Sequence, residues 1–177
     1  VWRDRDLVDE MLERAAACNY STIILTVDNT VLGRRERDVR RGFTLPPKIG
    51  LDTIFDGLRH PSWTWDFITS EPIKFANLTE STVGDGSDPV SLATYINTQL
   101  DPSLSWEDLA WLRDRWKGKL VIKGIQSVND ALLSVNYGVD AVALSNHGGR
   151  QLDDAPAPID LLPEVVAALG GQTEIIV

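Results

Sequence analysis

The sequence predicts an α/β fold with a parallel sheet covered by helices, on three observations. Each of four short apolar runs, Thr22 to Val27, Leu120 to Lys123, Asp140 to Leu144 and Glu174 to Val177, follows a stretch with helical periodicity. Parallel neighbours need a crossover connection, and a helix before each strand supplies one. Three of the runs finish in polar groups that apolar strand bodies do not explain, and in a parallel sheet those ends share one face.

The elements follow in order. Leu7, Val8, Met11, Leu12, Ala15 and Ala16 recur at helical spacing, Asn19 ends that helix, and the first strand follows. Cys18, at the end of this helix, reads as a packing residue. The segment from about Gly42 to Leu104 is far longer than an ordinary strand-to-helix loop, which suggests a lid or an interaction element. Within it, His60 reads as a loop residue. Trp63-Thr64-Trp65-Asp66-Phe67 reads first as aromatic packing over a rim and second as an interfacial anchor. Gly84 to Pro89 reads as a turn-rich patch, too weak in ligands for calcium. Ser105-Trp106-Glu107-Asp108 has the capping-box pattern and is followed by Leu109, Leu112 and Trp116 on one face, then the second strand. Ser127 to Asp130 repeats the start signal, Gly138 the stop, and the third strand follows. A last helix is expected from about Leu161 to Leu169, with Pro163 in its first turn, ending at Gly170-Gly171 before the fourth strand. A (β/α)₈ barrel and a doubly wound sheet both fit this order. A full barrel typically needs about 250 residues, so in the first case about half of one is expected here. The end inside an apolar strand also suggests a piece of a larger domain.

Most of the chemistry sits in Ser145-Asn146-His147-Gly148-Gly149-Arg150-Gln151-Leu152-Asp153, in the loop after the third strand. His147 can accept a proton near neutral pH, and Arg150 can hold a carboxylate through a bidentate fork, so the pair suits binding and deprotonation of a small organic acid. Thr26 and Asp28 follow the first strand, where Asp28 can orient His147 and stabilise its protonated form. Lys123 ends the second strand and can stabilise negative charge on a cofactor or substrate oxygen. Gly33-Arg34-Arg35-Glu36-Arg37 offers a second anion contact. Each residue also has a plain reading: a turn histidine beside glycines, a turn aspartate with Asn29, a snorkelling lysine and a solvated basic loop.

Composition bounds the partners. The chain has 177 residues and a formal charge of −9, which argues against a nucleic-acid backbone and gives no basic patch for anionic lipid. The single cysteine excludes an intrachain disulfide or a thiolate zinc cluster and suits a reducing compartment. No signal peptide or apolar run of spanning length occurs in these residues. The triplets Asn19-Tyr20-Ser21 and Asn77-Leu78-Thr79 match the glycosylation pattern at a frequency chance explains.

Thr26 to Asp38, Leu120-Val121-Ile122-Lys123-Gly124 and Ser145 to Asp153 together resemble the FMN-dependent L-2-hydroxy acid dehydrogenases and oxidases, the group of glycolate oxidase, lactate dehydrogenase and mandelate dehydrogenase. The resemblance runs in order along the whole chain. It implies a (β/α)₈ TIM barrel, present here as about strands 4 to 7 of one domain with a long lid-like insertion at about 42 to 104. It also implies oxidation of a small L-2-hydroxy acid, L-lactate foremost, to a 2-keto acid, with FMN as cofactor. Carried over by motif, His147 is the base and Asp28 its partner, Arg150 and Arg35 bind the substrate carboxylate, and Thr26, Lys123 and Ser145 contact the flavin. An electron acceptor, whether a quinone, oxygen or another group, completes the turnover. The family further implies a homo-oligomer (a tetramer), a cytoplasmic location, and membrane association through the 42 to 104 segment as in mandelate dehydrogenases. The alternatives are an oxidase that uses oxygen and an inactive half-barrel that serves as an association module. A phosphate-binding barrel without flavin is disfavoured by the lack of a Gly-rich phosphate loop. The family's Gln-Leu-Tyr segment before such a stretch, and its Asp-Gly-Gly and Gly-Arg segments after it, are not in these residues. Tight FMN binding is therefore expected to need groups beyond them.

Overall fold

The computed structural model describes residues 2–29, 31, 33, 36–40, 50–71 and 98–177. It divides into two compact units, Val1–Arg35 with Gln99–Val177, and Glu36–Thr98.

The first unit is built on a four-stranded sheet, β1 (Thr22–Thr26), β2 (Lys119–Ile125), β3 (Ala141–Leu144) and β4 (Glu174–Ile176). All three pairings are parallel, and the spatial order is the chain order. Helices α1 (Arg5–Ala17), α5 (Trp106–Arg115), α6 (Val128–Asn136) and α7 (Pro158–Leu169) precede the strands in turn. Sequential order with crossovers of one hand places the helices on one face of the sheet. That arrangement is consistent with a segment of an α/β barrel. A doubly wound sheet instead reverses its strand order at a switch point, and no reversal occurs among these strands.

Side chains alternate across each strand, so the sheet has two distinct faces. Leu25, Leu120, Ile122, Val142 and Leu144 join Leu109, Leu112, Trp116, Ala131, Val165 and Leu169 in the main core against the helices. Val121, Ala141 and Ala143 form a smaller cluster on the opposite face. Ile24 shares that face by register and is exposed at the β1 edge.

Local signals set the ends of the helices. The Asp4 carboxylate caps α1 by accepting from the Leu7 N–H. The Asp108 carboxylate accepts from the Ser105 N–H at 2.8 Å at the start of α5, and Ser127 Oγ accepts from the Asp130 N–H at 3.1 Å at the start of α6. Asp140 joins three elements, taking hydrogen bonds from Lys119 Nζ at 2.7 Å, the Leu120 N–H at 2.9 Å and Arg113 Nη1 at 3.2 Å. These contacts, the Lys119 bond first and the Leu120 N–H second, hold its carboxyl below the ordinary value of 3.8.

The structure corrects three expectations. Helix α7 begins at Pro158, three residues before Leu161, so Pro163 lies inside it and leaves the Ile159 carbonyl without its ordinary N–H donor. Strand β2 runs past Lys123 to Ile125, across a register shift at Gly124. Cys18 is exposed and does not pack. Trp63 and Phe67 stack on each other with ring centroids 5.1 Å apart, and both, with Trp65, are exposed.

The second unit holds α2 (Glu36–Arg40), α3 (Leu51–Arg59) and α4 (Pro61–Thr69). His60 lies between α3 and α4, and Thr64 Oγ1 donates to the Gly57 carbonyl at 2.8 Å, which pins the two helices together. Leu51, Ile54, Phe55 and Leu58 recur at helical spacing on α3, and all four are exposed. No described helix is long and apolar enough to cross a membrane. Gly84 to Pro89 and Asn77 lie outside the described residues.

Candidate active site

The C-terminal ends of β1, β2 and β3 bring the sequence-predicted groups to one place. Thr26 pairs in register with Lys123, and Lys123 with Ala143, so the three form a row on the face away from the helices. Ser145 lies two residues beyond Ala143 on the same chain. Lys123 Nζ donates to Ser145 Oγ at 3.2 Å, and the same Oγ accepts from the His147 N–H at 3.1 Å. Ser145 thus ties the lysine to the histidine backbone.

His147 opens a short 3₁₀ turn, His147–Gly149, in which three successive residues have positive φ. His147 itself sits at φ 58°, a left-handed conformation that costs an L-residue on the order of 1 kcal/mol. The turn is held by Asn146, whose Oδ1 accepts from the Gly149 N–H at 3.2 Å while Nδ2 donates to the Pro156 carbonyl at 3.2 Å. With the turn fixed, His147 Nδ1 lies 3.1 Å from Asp28 Oδ1. Asp28 is 2 % exposed and His147 30 % exposed, so the carboxylate is buried behind an imidazole that reaches solvent. Asp28 Oδ2 is buried and accepts no hydrogen bond among the described residues. A carboxylate in this position keeps the proton on Nδ1 and leaves Nε2 free to accept one.

Arg150 follows the turn and is exposed. The next residue, Gln151, was passed over in the sequence although it shapes the site. Its Oε1 accepts from the Gly33 N–H at 2.9 Å, which fastens the loop after β1 to the loop that carries His147 and Arg150. A glutamine beside an arginine carries no signal of such a contact in sequence. Arg35 lies outside the described residues. Among the described residues no cluster of His, Cys, Asp or Glu is arranged to hold a metal ion.

The donor set at the row fits an electron-rich aromatic ring edge. Lys123 makes no ion pair among the described residues, so its charge remains available to a ring oxygen or nitrogen, with Ser145 Oγ and Thr26 beside it.

Comparison with known proteins gives the family. The profile of the FMN-dependent dehydrogenase family matches residues 1–177. A Mycobacterium tuberculosis H37Rv protein named "Putative L-lactate dehydrogenase" is 49 % identical over 177 residues, which is 100 % of this chain and 41 % of that protein. The L-lactate dehydrogenase of Vibrio cholerae is 38 % identical over 181 residues, covering 100 % of this chain and 47 % of the relative. Among solved structures, monotopic membrane protein (S)-mandelate dehydrogenase superposes with a TM-score of 0.89 at 38 % identity, over 97 % of this chain and 44 % of that one. The chain spans less than half the length of each of these relatives. Matched along its whole length, the chain belongs to the FMN-dependent dehydrogenase family.

Proposed function

We propose that the protein carrying this chain oxidises a small L-2-hydroxy acid, L-lactate foremost, to the 2-keto acid, and that these residues form about strands 4 to 7 of its (β/α)₈ barrel. The observation that carries this reading is the 3.1 Å approach of His147 Nδ1 to buried Asp28 Oδ1, beside the Thr26–Lys123 row.

His147 Nε2 takes the substrate's proton: the hydroxyl proton if hydride leaves the α-carbon, or the α-proton if a carbanion forms. Asp28 keeps Nδ1 protonated and stabilises the imidazolium that results. Arg150, and Arg35 from the loop after β1, hold the carboxylate so that the α-carbon is fixed relative to Nε2, a positioning effect. Lys123, Thr26 and Ser145 would hold the flavin ring, and the Lys123 ammonium would stabilise negative charge that develops on it. When bound, FMN takes up the two electrons that the substrate gives up. A dehydrogenase is favoured over an oxidase. Among solved structures an (S)-mandelate dehydrogenase stands at 38 % identity, against 26 % for a lactate oxidase from Pediococcus acidilactici and 28 % to 31 % for mandelate oxidases, and the sequence relatives named L-lactate dehydrogenases reach 49 % and 38 %.

Steady-state assays of the FMN-loaded protein with an artificial electron acceptor test the proposal. L-lactate should support turnover and D-lactate should not, and oxygen alone should replace the acceptor poorly. Turnover with neither enantiomer, or with both equally, would rule it out.

A separate observation supports peripheral membrane attachment through residues 36–98. Leu51, Ile54, Phe55 and Leu58 form one exposed apolar stripe on α3, and Trp63, Trp65, Phe67 and Ile68 are exposed on α4. One structural neighbour is itself named a monotopic membrane protein. The test is co-sedimentation with vesicles, argued in the Discussion.

A further inference from the structure

We propose that Gly124 is a positioning residue for the Asp28–His147 pair, its bare α-carbon forming the seat on which the Asp28 carboxylate rests. The inference rests on the functional reading above only in taking His147 as the base.

Two independent features require glycine here. Gly124 has φ +107°, a backbone conformation that L side chains rarely adopt. A β-carbon built on it would stand 2.7 Å from both Cβ and Cγ of Asp28 and 2.9 Å from its backbone nitrogen. Real β-carbons do not approach other atoms so closely, and a backbone nitrogen and a Cβ cannot swing aside as the end of a flexible side chain can. The position is the extra residue of a bulge, since Lys123 pairs with Ala143 and Ile125 with Leu144. The bulge sends Ile125 into the main core while Lys123 stays on the opposite face. It therefore serves two ends at once: it keeps Lys123 in its row and opens the space that Asp28 fills.

The seat matters because little else holds the carboxylate. Oδ1 has His147 Nδ1 at 3.1 Å, and Oδ2 is buried without a hydrogen-bond partner among the described residues. With one polar contact among those residues, the Asp28 rotamer is fixed mainly by what it packs against, and Gly124 is in direct contact. A methyl group at 124 pushes the carboxylate off its line to Nδ1. The imidazole then loses the acceptor that keeps its proton on Nδ1.

The test reads the histidine tautomer directly and needs neither flavin nor turnover. The chain contains two histidines, and His60, in the other unit, is an internal reference. Long-range ¹H–¹⁵N spectra of ¹⁵N-histidine-labelled protein should show His147 with its proton on Nδ1. In Gly124→Ala that signal should be largely lost in favour of the Nε2–H form, while His60 is unchanged. Asp28→Asn provides the spectrum of a ring facing a weaker acceptor. A folded Gly124→Ala protein whose His147 stays Nδ1-protonated would overturn the proposal. If Gly124→Ala does not fold, the double variant Asp28→Gly/Gly124→Ala decides. Recovery of folding once the Asp28 side chain is gone supports the seat, and failure to recover assigns the glycine to backbone conformation alone and overturns it. A tautomer that follows Gly124 in a protein without dehydrogenase activity would leave this inference standing and sink the functional reading instead.

Discussion

At the scale of residues, the account rests on a division of labour that substitution can separate. We propose His147 as the source of the basic nitrogen and Asp28, 3.1 Å away across two loops, as the group that sets its tautomer. Replacing His147 with alanine should lower kcat by roughly 10²–10⁴-fold, the usual worth of a positioned general base, with KM for the hydroxy acid changed far less. Asp28→Asn keeps the shape and removes the charge, so it should also act on kcat rather than on KM. Arg150→Lys should do the reverse, raising KM first, because an ammonium cannot reproduce a bidentate fork to a carboxylate. Steady-state kinetics over a range of L-lactate concentrations check all three. Much of this site was legible in the sequence. Parallel strands deliver their C-terminal ends to one face, so Thr26, Asp28, Lys123, Ser145 and His147 could be grouped from strand positions alone. Gln151 and Gly124 were not legible as parts of it. A glycine after a strand lysine signals a stop as readily as a bulge, and a glutamine announces nothing about a partner 118 positions away.

At the scale of elements, stability follows from caps, core and one carboxylate network. Ser127→Ala removes the oxygen that accepts from the Asp130 N–H and should cost about 1 kcal/mol, measurable by urea denaturation. Leu120→Ala, at a side chain with no exposure, should cost about 2–5 kcal/mol by the same measurement. The Asp140 carboxyl is held below 3.8 by the Lys119 hydrogen bond, then by the Leu120 N–H, and by attraction to Lys119 and Arg113. A carboxyl depressed in the folded state stabilises it above the unfolded value, and that stabilisation is lost as pH falls through the folded one. Asp140→Asn should therefore be less stable than wild type at neutral pH, with the gap closing below about pH 4. Denaturation midpoints across that range report the sign. The start of α7 was misread for a physical reason. Its first residue is Pro158 and its cap Ala157, which has no polar side chain, so the stretch Ala155-Pro156-Ala157-Pro158 carried loop signals and no start signal.

At the scale of the whole molecule, the sheet and the second unit present different surfaces. The helix-covered face of the sheet was expected from apolar periodicity, and the sequential strand order now favours the barrel over the doubly wound alternative that periodicity left open. Whether an aromatic cluster is buried cannot be read from composition, because Trp63, Trp65 and Phe67 would look the same on either side of a helix. Their exposure, with the α3 stripe, predicts that the protein co-sediments with neutral phosphatidylcholine vesicles. Replacing Leu51, Ile54, Phe55 and Leu58 together with serine should release it, whereas added salt should not. Release by salt with no effect of the serines would contradict an apolar attachment.

Anaerobic bleaching asks whether His147, as proposed, deprotonates an L-2-hydroxy acid beside bound FMN. The FMN-loaded protein carrying this chain is mixed with L-lactate or D-lactate without oxygen, and the visible flavin absorbance is followed for wild type and His147→Ala. L-lactate alone should bleach the flavin, and the bleaching should be lost in His147→Ala with the flavin still bound. Bound flavin that L-lactate leaves unbleached in the wild type, or a His147→Ala protein that bleaches as fast as wild type, would contradict the proposal.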